Sequence, residues 1–311
     1  MKPLFITLPG NEELTSRLCG HLAGDLGSIE TRRFPDGETY VRLRDDVRGR
    51  AVVLVCTLDK PDDKTLRLLF AAHAARDLGA SQVGLVAPYL AYMRQDKRFQ
   101  SGEAITSTAY AGLLSANLDW IVTIDPHLHR RSSMSEIYSI PVAVCHAAPK
   151  LSDWLREHVT DAIVIGPDSE SEQWVSAVAD GAGAPFTTLE KTRHGDRDVE
   201  IEFPNLERWQ GRKPVLVDDI ISSGRTMEVA IKQLIALGFA PPVVLGVHGL
   251  FADDAYERLE AAGASQIVST NSAPHPSSEI DISVVMMSAI VRLDPRNRQA
   301  VSDVCRRRVH D

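Results

Sequence analysis

Two neighbouring carboxylates, Asp218 and Asp219, end the apolar run 214–217 and lead into Ser222-Ser223-Gly224-Arg225-Thr226, after which a helix is expected to begin near Met227. A helix start carries amide N–H groups without intrahelical partners and a partial positive charge, and together these hold an anion. Gly224 lets the backbone approach that anion closely, Ser222, Ser223 and Thr226 add hydroxyl donors, and Arg225 raises the local positive potential. Adjacent acids accept hydrogen bonds from vicinal hydroxyls. A ligand with a phosphate at one end and a diol at the other, such as a pentose phosphate, matches that pattern. Two solvated acids before a capped helix would be the plain reading. The order of strand, acids, Ser/Gly loop and helix favours the ligand.

Five other segments carry chemistry. In residues 32–43, Phe34 offers a ring face for a base, and Asp36 and Glu38 offer acceptors for an exocyclic amine, although Pro35-Asp36-Gly37 also reads as an ordinary hairpin turn. Residues 94–98, Arg94-Gln95-Asp96-Lys97-Arg98, directly follow a strand and pair cations for phosphates with an amide for a base; an exposed charged loop is the alternative. Thr123 to His129 places Asp125, His127 and His129 just past another strand, where a histidine can ligate a metal or donate to a polyphosphate. Asp168 stands at a further strand end, and Lys191 and Arg193 alternate, so an extended strand edge would put both on one face.

These residues need a scaffold. Strands are expected at 4–8, 51–57, 83–88, 120–125, 142–145, 162–166, 186–189, 215–219, 243–249, 266–270 and 282–286. Helices are expected at 64–78, 106–116, 174–179 and 227–237. Apolar strands alternating with helices predict an α/β protein with mainly parallel, doubly wound sheets, whose ligands sit beyond the carboxyl ends of the strands. The run 118–127 and the run 212–221 both set an apolar strand before an acidic end, which predicts two similar doubly wound domains, 1–146 and 147–311, with the last segment packing back on the first. One continuous sheet is the alternative.

Bulk properties narrow the function. The 311 residues are 44% hydrophobic and 24% charged, with a net charge of -8 that argues against broad nucleic-acid binding while leaving room for a local basic pocket. No apolar run approaches the roughly 20 residues that span a bilayer, and the four scattered cysteines form neither a zinc pattern nor a disulfide framework, so a cytoplasmic protein with reduced thiols is expected.

The 218–226 segment resembles the phosphoribosyl pyrophosphate loop of the type I phosphoribosyltransferase fold. Four further segments, 32–43, 88–106, 123–129 and 163–171, resemble ribose-phosphate pyrophosphokinases in the expected order and across essentially the whole chain. The resemblance implies an enzyme that moves the β,γ-pyrophosphoryl group of ATP to the anomeric hydroxyl of ribose 5-phosphate, with Mg2+ as cofactor. It implies that Asp218 and Asp219 bind the ribose hydroxyls and that Ser222, Ser223, Gly224, Arg225 and Thr226 bind the 5-phosphate. Phe34, Asp36, Glu38, Arg94, Gln95 and Asp96 would bind ATP, His127 and Asp168 would serve the metal, and Lys191 and Arg193 would stabilise the transferred group. In that family the Phe34 loop completes a neighbour's site, which implies a homo-oligomer of at least two chains.

The chain departs from the family pattern in three places. Ser169-Glu170-Ser171 replaces small residues and glycines, Ser222 stands where many synthetases carry an acid, and 128–142 has little likeness to the stretch that includes the family's ADP-inhibition site. The alternatives are a nucleobase phosphoribosyltransferase, which needs neither the Phe34 loop nor the Arg94 cluster, and a non-catalytic regulatory paralogue. A sugar-diphosphate-sensing transcription regulator would need a DNA-reading element or a basic surface, and the sequence offers neither.

Overall fold

A computed structural model describes residues 1–128, 130–167, 171–194, 198–202 and 206–294, with the backbone alone described at 190–194 and 198–202. The chain forms two compact units, Met1–Cys145 joined by the segment that begins at Ser283, and His146–Ile282.

In the first unit the chain runs through β1 (Leu4–Thr7), α1 (Glu12–His21), β2 (Asp25–Gly27), β3 (Ile29–Arg33), β4 (Thr39–Leu43), β5 (Ala51–Val55), α2 (Pro61–Asp77), β6 (Gln82–Ala87), α3 (Thr106–Asn117), β7 (Trp120–Ile124) and β8 (Val142–Cys145). Six of these strands make one parallel sheet in the order β2-β1-β5-β6-β7-β8. Every residue of β5 and β7 is buried, as apolar strands covered by helices on both faces must be. β3 and β4 stand apart as an antiparallel hairpin inserted between the second and third strands of the sheet.

The second unit repeats the plan. It contains α4 (Ala148–His158), β9 (Ala162–Gly166), α5 (Glu172–Ala182), β10 (Phe186–Thr188), β11 (Glu190–His194), β12 (Asp198–Glu202), β13 (Lys213–Ile221), α6 (Arg225–Ala236), β14 (Val243–Gly249), α7 (Ala255–Ala261), β15 (Gln266–Thr270) and β16 (Ser278–Ile280). Its parallel sheet has the order β10-β9-β13-β14-β15-β16, and β11–β12 is again an antiparallel hairpin between the second and third strands. Ile165, Leu216, Val244 and Ile267 pack under Met227, Ile231 and Leu234 of α6, so the apolar stripe of that helix seats it on the sheet. In both units the strand order reverses beside the first strand, between β1 and β5 and between β9 and β13. Such switch points are where open α/β sheets hold ligands.

One expected strand is a helix. The run 282–286 opens α8 (Ser283–Leu293), whose buried residues Ser283, Met286, Ala289 and Ile290 follow a helical period. It packs on α1, β7 and β8 of the first unit, where Ser283 Oγ lies 3.2 Å from His21 Nε2. A five-residue apolar run cannot by itself separate a strand from a buried helix turn, and here the longer periodicity wins. Several strands lie outside the expected runs, β2, β3, β4, β11, β12 and β16 among them, and three of these show another reason. β2, β3 and β4 have mixed composition, and pairing with a neighbour rather than propensity makes them strands.

Candidate active site

β13 positions the paired acids of the second unit beside its switch point. Residues 214–217 are buried, while Asp218 and Asp219 are half-buried. The strand does not stop at the acids: Asp218 pairs with Gly246 and Ile220 with His248, so pairing continues to Ile221, two residues beyond the expected end. Consecutive strand residues leave the backbone on opposite faces, and Asp218 Oδ1 accepts the N–H of Asp219 at 2.9 Å.

Two residues separate Ile221 from Gly224, which has φ +66° and caps α6. Because glycine tolerates this left-handed turn, the helix starts at Arg225 rather than near Met227. Arg225 and Thr226 therefore belong to the first helical turn, and Gly224 makes no side-chain cap bond there. A helix start of this kind is able to hold an anion.

In the first unit, Phe34, Asp36 and Glu38 form the tip of the β3–β4 hairpin. The Phe34 N–H donates to the Glu38 carbonyl (2.8 Å), the Gly37 N–H to the Phe34 carbonyl (2.9 Å) and the Glu38 N–H to Asp36 Oδ1 (3.2 Å). The turn reading and the binding reading are compatible, since the turn presents the Phe34 ring 37% exposed. The Arg32 guanidinium sits 4.4 Å from the centroids of both Phe34 and Tyr40.

Arg94 and Gln95 are exposed in the loop after β6, and Gln95 Oε1 accepts from Thr106 Oγ1 at 2.5 Å. Asp96 differs. Its side chain is only 3% exposed and faces Arg130 Nη1 at 3.3 Å. Arg131 Nη2 reaches the Asp96 carbonyl (3.2 Å), Ser107 Oγ (3.2 Å) and Thr108 Oγ1 (3.3 Å), stapling the loop to the start of α3. Arg130 and Arg131, in a stretch that departs from the family pattern, thus brace the 94–98 cluster. Nothing in its spacing signals this, because two arginines before serines read as solvated charge.

Adjacent residues of α2 bring the hairpin and the loop together: Arg33 pairs with Asp63 at 2.7 Å, and the Tyr92 hydroxyl donates to Asp62. That bond raises the Tyr92 phenol to about 12. A cavity of about 350 Å³ opens here, lined by Asp62, Tyr92, Thr106 and Tyr110 among others, with no cation among the described residues of its wall.

Just past β7, Asp125 and His127 adopt φ +33° and +55°, with the Asp125 N–H donating to the Cys145 carbonyl (3.0 Å) and the His127 N–H to the Asp125 carbonyl (2.9 Å). Asp125 is buried and His127 half-buried. Lys191 and Arg193 occupy alternate positions of β11, opposite Ile201 and Val199. Asp168, His129, Ser169 and Glu170 lie outside the described residues, as does the tip of the β11–β12 hairpin.

Comparison with known proteins bears on this arrangement. Residues 4–117 match a model described as the N-terminal domain of ribose phosphate pyrophosphokinase, and residues 133–284 match a phosphoribosyl transferase domain. A ribose-phosphate pyrophosphokinase of Methanopyrus kandleri is 34% identical over 284 residues, covering 90% of this chain and 96% of the relative. The chain belongs to the ribose-phosphate pyrophosphokinase family. Another such enzyme, from Saccharolobus solfataricus, is 34% identical over 268 residues, with 84% and 89% of the two chains covered. The crystal structure of phosphoribosylpyrophosphate synthetase from Mycobacterium smegmatis superposes with a TM-score of 0.79 at 25% identity, spanning 95% of this chain and all of that one.

A ribose-phosphate pyrophosphokinase is an enzyme, and its likeness here extends through both units. The first unit is the half that a nucleobase phosphoribosyltransferase would not need, and it matches a pyrophosphokinase domain in its own right. Among the described residues no helix is long and apolar enough to cross a membrane.

Proposed function

We propose that the second unit binds ribose 5-phosphate at its switch point, that the first unit binds ATP, and that the β,γ-pyrophosphoryl group passes to the anomeric hydroxyl, releasing AMP. The observation that carries this reading is the continuous run from Asp218 and Asp219 on β13 to the glycine-capped start of α6. Carboxylates for a diol and amides for a phosphate follow one another there in the order a pentose phosphate requires.

Each residue has a distinct task. Asp218 and Asp219 accept hydrogen bonds from the ribose hydroxyls, and Ser222 to Thr226 surround the 5-phosphate. Phe34 stacks on the adenine, with Asp36 and Glu38 accepting from its amino group. Arg94 and Gln95 reach the nucleotide directly, while Asp96, being held by Arg130, keeps the loop in register. Lys191 and Arg193 come over the transferred group and offset the charge that develops as the bridging bond breaks. One such charge-assisted contact contributes about 2.7–4 kcal/mol to lowering a barrier. The protein's work is mostly positioning and charge neutralisation.

Magnesium suits this donor set. Among the described residues no group of three or more His, Cys, Asp or Glu could hold a metal by itself. Mg2+ typically keeps several waters and borrows oxygens from phosphates, so a site with few protein ligands fits it. Asp168 and His127 would hold it, directly or through a water, and bound Mg2+ would neutralise phosphate charge and acidify the attacking hydroxyl. The exposed Phe34 tip suits a neighbour's nucleotide, and we assign the working form to a homo-oligomer of at least two chains.

Incubating the purified protein with ATP, ribose 5-phosphate and Mg2+ tests the reading. AMP and phosphoribosyl pyrophosphate should appear in equal amounts. Absence of AMP, together with turnover of a nucleobase and phosphoribosyl pyrophosphate, would establish the transferase instead.

A further inference from the structure

The anion loop is held by its carbonyls. The Ile221 carbonyl accepts from the N–H groups of Leu250 and Phe251 at 3.0 Å each, and the Ser222 carbonyl accepts from the Ala252 N–H at 3.1 Å. The Gly224 carbonyl accepts from the Glu228 N–H at 2.8 Å. The Ser223 carbonyl alone in this series is held by a side chain, Arg258 Nη2 at 2.5 Å.

A trans peptide is planar, and its C=O and N–H point in opposite directions. Fixing each carbonyl therefore aims the N–H of the following residue the opposite way, away from the group that holds the carbonyl. The contact to Ser223 governs the Gly224 amide, the one at the left-handed turn.

Arg258 is itself pinned for this work. It lies on α7, its Nη1 pairs with Asp254, and its Nε faces Glu228 Oε2 at 3.4 Å as an ion pair without hydrogen-bond geometry. Glu228 belongs to the first turn of α6, so one guanidinium joins α7, the loop backbone and the helix that the loop opens. Leu259, the next residue, lies 3.4 Å from where a Cβ on Gly224 would stand, which supports the turn from the same helix. A planar fork of donors serves two acceptors and an ion pair at once, which a lysine ammonium on a flexible stem does less well.

We infer that Arg258 is a positioning residue for the phosphate end of the sugar substrate: it aims the Gly224 N–H at the bound phosphate without touching that phosphate itself. This inference rests on the proposed ribose 5-phosphate site and adds to it a residue outside the 218–226 segment.

The test compares Arg258→Ala and Arg258→Lys with the unaltered enzyme in steady-state kinetics and in calorimetric binding of ribose 5-phosphate without ATP. Losing a hydrogen bond to a charged group should raise KM and Kd for ribose 5-phosphate roughly ten- to a hundredfold in Arg258→Ala, with KM for ATP unchanged within about a factor of two. Arg258→Lys should recover part of the loss. Equal rises in both KM values, or a fall in kcat alone, would reduce Arg258 to a general structural residue. If Arg258→Ala does not fold, Arg258→Lys decides alone: a KM for ribose 5-phosphate matching the unaltered enzyme overturns the inference. Should the unaltered enzyme neither bind nor turn over ribose 5-phosphate, the site assignment fails first, and the two failures are thereby told apart.

Discussion

The two units wind six parallel strands in the same order and insert an antiparallel hairpin at the same point, yet their switch points are opposites. In the first, Asn11 is 4% exposed, accepts the Thr57 N–H at 2.9 Å and donates to the Leu8 and Pro9 carbonyls. Its amide knits the ends of β1 and β5 together. In the second, the corresponding crevice is flanked by Asp218 and Asp219 and by a helix start capped with glycine. The fold provides a crevice, and the residues at its rim decide whether it is a seam or a site. The hairpins diverge in the same way, one tipped by Phe34 and the other carrying Lys191 and Arg193.

The largest expected effect contrasts those hairpins. Lys191→Ala should lower turnover at least about a hundredfold while ATP affinity stays nearly intact. Near-normal turnover would remove the catalytic role from the second hairpin. Phe34→Ala should act on binding instead, raising KM for ATP roughly tenfold if stacking on a base contributes about 1–3 kcal/mol. Mixing these two inactive or weakened proteins sharpens the contrast. Oligomers that exchange chains should regain activity, because one partner supplies Lys191 and the other Phe34; no recovery after verified exchange would place both hairpins in one chain's site.

Smaller effects concern the seam. Asn11→Asp removes the side-chain donor to Leu8 and buries a carboxylate, and should cost about 1–3 kcal/mol in denaturant unfolding. Asp219→Asn at the open switch point should leave stability almost unchanged and weaken ribose 5-phosphate binding. If both substitutions affected stability alike, the distinction between seam and site would collapse.

The smallest effect is alkaline. Burial pushes the Cys56 thiol up to about 12 and Cys145 up to about 11, and it raises Tyr110 and Tyr138 as well, all in the first unit. Among the described residues of the second unit only Tyr256 is raised. A folded state that keeps these protons gains stability that is fully present below the ordinary thiol and phenol range and is lost as pH climbs through the folded values. The first unit should therefore loosen first between about pH 9 and 12. Tyrosinate absorbance followed together with the fluorescence of the first unit's Trp120 would check the order; simultaneous loss in both units would contradict it.

Much of this was legible in residue order. The apolar runs of β5, β7, β9 and β14 announce themselves because a strand buried on both faces must be apolar throughout. The acids, Ser/Gly loop and helix of 218–226 are contiguous, so their chemistry survives without coordinates. Arg131 and Arg258 were not legible. Arg258 pairs with Asp254 four residues earlier and looks like an ordinary helix-surface ion pair, while its partner carbonyl at Ser223 is 35 residues away. The run that became α8 failed differently, since a short apolar stretch states burial and leaves the period open.

The sequence by itself determined the α/β alternation, the duplicated plan and the order of acids, Ser/Gly loop and helix at 218–226, because periodicity and neighbouring functional groups are properties of adjacent residues. Only the tertiary structure decided that Asn11 bridges the ends of two strands, that Asp96 is a tethered residue and that Arg258 aims a backbone amide. Each of these depends on groups far apart in the chain meeting at hydrogen-bond distance, and no local pattern encodes where a carbonyl on one strand will find its donor on another element.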